Sequence, residues 1–179
     1  EEFKKEFDDI HDVEFEIHKK PSYPVFKDKV LELPWDKYPI VIAGGSFNAK
    51  NRETVLDETG KNAIKKLIET LNDEKVYFVV GHKMRGYEKA ILDASKELNK
   101  KFEINAIVPK EVSAEEVDEL LKQDINGIRI STEREEMGIY KSFNYEIFER
   151  RNSIVVAFDG NSPVSNLVQE AKNGKGKAK

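Results

Sequence analysis

The sequence contains no cysteine, which excludes disulfide bonds and thiol chemistry. With only three histidines, that absence also argues against a structural zinc site, and no metal is expected. No run approaches the roughly 20 apolar residues of a membrane-spanning helix. The opening Glu1-Glu2-Phe3-Lys4-Lys5-Glu6 has no apolar stretch of the kind a signal peptide needs. These absences predict a cytoplasmic protein with no membrane partner. A dominant charge is missing too: 30 Lys and Arg stand against 34 Asp and Glu, a net charge of -4. No global field therefore draws in a polyanion, and any such site has to be local. Neither GxGxxG nor a Walker lysine loop occurs, which argues against an ordinary dinucleotide-hydride or ATP-hydrolysis site. No cofactor is expected.

What is present is one substantial core's worth of chain. At 179 residues the length suits one domain, or a domain of about 130 to 150 residues with a terminal extension. We divide it into an extension over 1–37 and a domain over 38–179. The extension lacks regular rhythm, although Asp12 to His18 alternates polar and apolar residues as a half-buried strand does. Pro21, Pro24 and Pro34 keep the stretch around them irregular. The start without methionine, and the end at Lys179 where another buried strand is expected, suggest a fragment of a longer protein.

From Tyr38 the pattern becomes strand, loop, helix. Ile40-Val41-Ile42-Ala43-Gly44-Gly45-Ser46 and Val76-Tyr77-Phe78-Val79-Val80-Gly81-His82 read as buried strands running into glycine loops. Helical spacing follows each, over Glu53 to Leu71 and over Tyr87 to Leu98. Phe102 to Val108 reads as a third strand. Ser113-Ala-Glu-Glu116 is a capping box opening a short helix to about Lys122. Gly127 to Ser131 reads as a further strand, Glu135 to Arg151 as largely helical after Gly138, Ile154 to Phe158 as the most apolar strand, and Val164 to Lys172 as the last helix. Such alternation predicts an α/β fold, a three-layer Rossmann-like arrangement with a mostly parallel sheet flanked by helices. The loops leaving the strands then gather at one sheet edge, where helix N-termini offer unpaired amides to an anion.

Three loops carry the candidate chemistry. Gly44, Gly45 and Ser46 form the first; Gly81, His82, Arg85 and Gly86 the second; Asp159, Gly160 and Ser162 the third. Arg85 can grip phosphate with two prongs, and His82 can bind a ribose or phosphate or move a proton near neutral pH. The plain alternatives are tight turns for the glycines, a surface arginine and a structural histidine. Glu170 on the last helix and Asp159 at the end of a central strand are the candidate catalytic acids, with Glu146 beside Asn144 as another. Glu115-Glu116 and Glu135-Glu136 read as helix starts or solvated faces. Arg150, Arg151, Lys172, Lys175, Lys177 and Lys179 form the one regional positive bias.

In order and spacing, Ala43-Gly44-Gly45-Ser46-Phe47-Asn48, Val80 to Glu88, Gly138 to Glu146, Val156 to Ser162 and Glu170 to Lys175 resemble the blocks of the SLOG superfamily, in pattern nearest its small bacterial and phage members (DprA/LOG-like). The resemblance implies a Rossmann-like nucleotide-binding domain. It matches Ser46 to the serine after the first strand, Gly81, Arg85 and Gly86 to the second glycine loop, Asn144 to the asparagine of an arginine-asparagine pair, Gly160 and Ser162 to the sugar-phosphate loop, and Glu170 to the helix acid. Phe143 stands where the family has that arginine, and Pro163-Val164 replaces a glycine-threonine step. Both changes argue against LOG-like hydrolysis of a nucleoside monophosphate. The resemblance also implies a homodimer and, by analogy, a role in antiphage defence or signalling.

The expected function is binding of a nucleotide or ADP-ribose-like small molecule in a cleft at the strand C-termini, for sensing or regulation. The first alternative is an N-glycosidic hydrolase or transferase using Glu170 or Asp159. The second is a DNA-processing or nucleic-acid-binding module using Arg150, Arg151 and the C-terminal lysines.

Overall fold

The computed structural model describes residues 33–47, 50, 52–109, 112–123, 125, 127–131, 144–149, 151–158, 162–176 and 178–179, with backbone alone at 109, 127–131 and 144–146. The expected strands Asp12 to His18, the prolines 21 and 24, and the segment before 144 lie outside the described residues. The chain forms an α/β fold, a Rossmann-like three-layer arrangement. Strands β1 (Tyr38–Ala43), β2 (Val76–Gly81), β3 (Glu103–Pro109), β4 (Gly127–Ser131) and β5 (Ile154–Ala157) make one sheet in the order β4-β3-β2-β1-β5. Every pairing is parallel, with Ile40 opposite both Phe78 and Ile154. Helices α1 (Glu58–Thr70), α2 (Gly86–Glu97), α3 (Ala114–Leu121) and α4 (Ser162–Asn173), with a π-helical element over Asn144–Glu149, complete the described structure.

The unbroken apolar runs of β1 and β2 have a simple cause: both faces of the sheet are covered. Ile40, Ile42, Phe78, Val80, Ile104 and Ala106 face one side, where Ile64 and Ile68 of α1, Ile91 of α2, and Val117 and Leu120 of α3 close over them. The alternate residues Val41, Tyr77, Val79 and Ile107 face the other side, against Ile147 and Phe148 of the π-helical element and Leu167 and Ala171 of α4. Leu33 joins this second core, so the packed body reaches upstream of the expected boundary at residue 38.

Two local expectations are corrected. The first helix begins at Glu58, not Glu53, because Asp57 caps it by accepting the Gly60 N–H at 2.8 Å. Glu53 instead bridges Phe47, and the Thr54 N–H donates to the Ser46 carbonyl at 3.0 Å. Val55 consequently projects into solvent. The most apolar strand, β5, is also the least buried of the strands whose side chains are described: Ile154 and Ala157 are exposed. It pairs with β1 on one side, and on the other the described residues supply only a short parallel start, Ser153 with Ala178 and the Val155 N–H donating to the Lys179 carbonyl at 2.9 Å. Asp159 therefore follows a strand at one edge of the described sheet, not a central one. The capping box at Ser113 and Glu116 is present in both directions.

Candidate functional site

The strand order reverses at β1. From β1 the chain steps outward through β2, β3 and β4, then returns to place β5 on the other side. The loops after β1 and β5 therefore diverge, leaving a crevice at the strand C-termini. A cavity of about 270 Å³ occupies this place. Its floor is apolar, formed by Val41, Val79, Ile107 and Leu167, and its polar groups come from Ser46, His82, Lys83 and Glu88.

The β1 loop is shaped by contact with α2. Gly44 and Gly45 have φ of 78° and 83°, in the left-handed region. The Gly45 carbonyl accepts the Tyr87 N–H at 3.1 Å, and the same carbonyl would lie 2.0 Å from any Cβ added to Gly86, whose φ is +53°. Gly45 and Gly86 thus let one loop lie directly on the start of the next helix. Tyr87 stacks on Phe158 with ring centroids 4.0 Å apart, which fixes the end of β5 against the same helix.

One residue missed among the sequence candidates ties the site together. Glu88, on the first turn of α2, is 5% exposed. Its Oε1 accepts the Gly81 N–H at 2.7 Å, and its Oε2 lies 2.8 Å from Ser46 Oγ. Burial pushes its carboxyl above the usual range, opposed by hydrogen bonds from Ser46, Gly81 and Met84. Gly81 leaves room for this contact, since a Cβ there would stand 2.8 Å from Glu88 Oε1. Met84 is held between them at φ +45° and is almost fully buried, a costly conformation for a side chain of its size.

The other candidates divide as follows. Gly44, Ser46, Gly81 and His82 line the cavity, while Gly45 and Gly86 support it from behind. Arg85 is turned away, 3.5 Å from Glu53 and over the Phe47 ring. It lines a separate groove between α2 and α3, whose Lys83 is bound to Glu116 at 2.9 Å. Pro163 and Val164 line the cavity, whereas exposed Ser162 does not. Glu170 lies eight residues beyond Ser162 on α4, about 12 Å along the helix axis, and is not among the lining residues. Asp159 and Gly160 lie outside the described residues, as do Arg150 and Lys177; Asn144 and Glu146 are described by backbone alone.

Arg151 is corrected more sharply. It is buried, donates to the carbonyls of Pro34 and Leu33 (3.0 Å for the latter), and stacks on the Trp35 ring at 3.8 Å. Its guanidinium serves the N-terminal segment and is not presented to a phosphate backbone. Lys172, Lys175 and Lys179 are exposed.

No group of three or more His, Asp or Glu among the described residues is placed to hold a metal ion. No helix among them is long and apolar enough to cross a membrane. In comparisons with known proteins, no family model, no curated protein and no solved structure matches the chain.

Proposed function

We propose that the protein binds a nucleotide or an ADP-ribose-like small molecule in the strand-end cavity, for sensing or regulation. The observation that carries this reading is the reversal of strand order at β1, with the β1 loop, the β2 loop and the start of α4 enclosing one cavity. Crevices at such reversals are the usual ligand sites of open parallel sheets. The apolar floor suits the face of a base or sugar ring, and the hydroxyl of Ser46 with the ring of His82 suits the polar end. The volume of about 270 Å³ lies at the lower limit of small-molecule sites, about 300 Å³, and suits a single nucleoside unit with its phosphate continuing outward. The ordered resemblance to SLOG blocks points the same way.

Of the two acids named for N-glycosidic cleavage, Glu170 does not line the cavity, and binding without turnover is the reading we put to the test. A small ligand is favoured over nucleic acid because Arg151 is buried against Leu33 and Pro34. The test is incubation with nucleoside monophosphates, NAD, ADP-ribose and cyclic nucleotides, recording the thermal midpoint and then chromatographing each sample. At a hundredfold excess over Kd the bound state gains about 2.7 kcal/mol, a rise of roughly 5 to 10 °C for a chain of this size. We expect such a rise with the ligand recovered intact. Release of free base would replace this reading with the glycosidase one, and no shift with any member of the panel would overturn it.

A further inference from the structure

We propose that Glu88 is the specificity-determining residue of the strand-end cavity: as a neutral carboxylic acid held between Ser46 and Gly81 it admits the anionic part of a ligand beside the β1 loop, and as a carboxylate it rejects it. This inference rests on the nucleotide reading above.

The two contacts of Ser46 are completed by the neutral form, while the N–H groups of Gly81 and Met84, which donate to the same carboxyl, pull the other way against its burial. Ser46 Oγ lies 2.8 Å from Glu88 Oε2 and 3.3 Å from the Arg85 carbonyl. A hydroxyl carries one hydrogen. An ionised Glu88 can only accept, so the Ser46 hydrogen turns to it and the Arg85 carbonyl loses its donor. A neutral Glu88 donates from Oε2 to Ser46 Oγ, Ser46 donates onward to the Arg85 carbonyl, and Oε1 still accepts from Gly81. Both contacts of Ser46 are then hydrogen bonds, running from the β1 loop to the N-cap of α2.

Among the described residues, the hydrogen-bond partners of the carboxyl are Ser46, Gly81 and Met84, none of them charged. From β1 the carboxyl meets the uncharged Ser46. From the β2 loop His82 and Lys83 share the cavity, and Lys83 is committed to Glu116 at 2.9 Å. Arg85 pairs with Glu53, and Lys89, one residue along α2, pairs with Asp93 at 3.0 Å. The lining residues of α4 are Pro163, Val164 and Leu167, none of them charged. Burial that raises the carboxyl's proton affinity acts in the same direction.

An anion resting against Gly44 and Ser46 shares the cavity with this carboxyl, where two negative charges repel far more strongly than in water. Anion binding is therefore coupled to the proton on Glu88. The experiment is calorimetric titration with ADP-ribose, whose pyrophosphate does not titrate near neutral pH, from pH 5 to 10 on wild type and Glu88→Gln. The wild-type Kd should rise by about tenfold per pH unit once Glu88 ionises, with proton uptake seen as a buffer-dependent heat. Glu88→Gln, fixed as a neutral group, should keep the low-pH affinity throughout. Equal, pH-independent binding by both proteins would overturn the inference and leave the nucleotide reading standing; binding by neither would overturn both. If Glu88→Gln does not fold, the same titration in two buffers on His82→Asn decides, and a lack of proton uptake by that variant across the range overturns the inference.

Discussion

Two ionisable side chains are buried at opposite ends of the same parallel sheet, and they are buried in different ways. Arg151, just before β5, lies at the N-terminal end, and Glu88, beyond β1 and β2, at the C-terminal end. Arg151 cannot give up its charge, so its environment has to satisfy it: two backbone carbonyls accept its protons and the Trp35 ring covers its face. Glu88 can become neutral, and its surroundings of Ser46, Gly81 and an apolar floor use that freedom. One end is a fixed fastening for the segment entering β1. The other is a site whose charge depends on conditions, in the place where this topology opens a crevice.

The comparison can be broken first through the glycines that bring backbone together at the site end. Gly86→Ala puts a Cβ 2.0 Å from the Gly45 carbonyl at φ +53°, combining a left-handed backbone with an overpacked contact. We expect a loss of about 4 kcal/mol in urea unfolding; a loss under about 1 kcal/mol would mean that the β1 loop slides freely off α2. The next largest effect is at the fastening. Arg151→Ala leaves the Leu33 and Pro34 carbonyls without their charged donor and should cost about 3 kcal/mol, equally at pH 5 and pH 8. A strongly pH-dependent loss would show that the two ends do not differ as described.

The smallest and most discriminating effect is the pH slope of stability set by Glu88. Its folded proton affinity is raised by burial above that of an ordinary glutamate, near 4.3 in the unfolded chain. Between the two values the folded state holds the extra proton, so wild-type stability is full below about pH 4 and declines as pH rises through the folded value. Glu88→Gln should remove one proton's worth of that slope, measured as urea midpoints across pH. A slope unchanged in the variant would place the titration elsewhere.

Much of the scaffold was legible because it is written in local pattern. The β1 run Tyr38–Ala43 and the β4 run Gly127–Ser131 have the boundaries their composition suggests, and the Ser113-Glu116 cap is a four-residue signal. The first helix was placed too early because Val55 fits a helical spacing, while the deciding pairing of Glu53 with Phe47 needs the β1 loop already in place. The strand Ile154–Ala157 suggested burial by its apolarity alone. Its exposure follows from its rank in the sheet, which no window of sequence contains. At the site, Ser46, Gly81 and His82 could be found because loops after parallel strands converge. Glu88 was hidden because it reads as an ordinary first-turn acid: its partner Ser46 lies 42 residues away.

The amino-acid sequence by itself determined the alternation of strands and helices, the Ser113 cap and the exclusion of thiol chemistry, since these depend on residue type and on spacing within a few residues. The tertiary structure alone decided that β5 lies beside β1, that Arg151 turns inward to Leu33 and Pro34, and that Glu88 reaches Ser46 and Gly81. Each of these joins groups far apart in the chain, and the cost or benefit of burying a charge exists only once those groups have met.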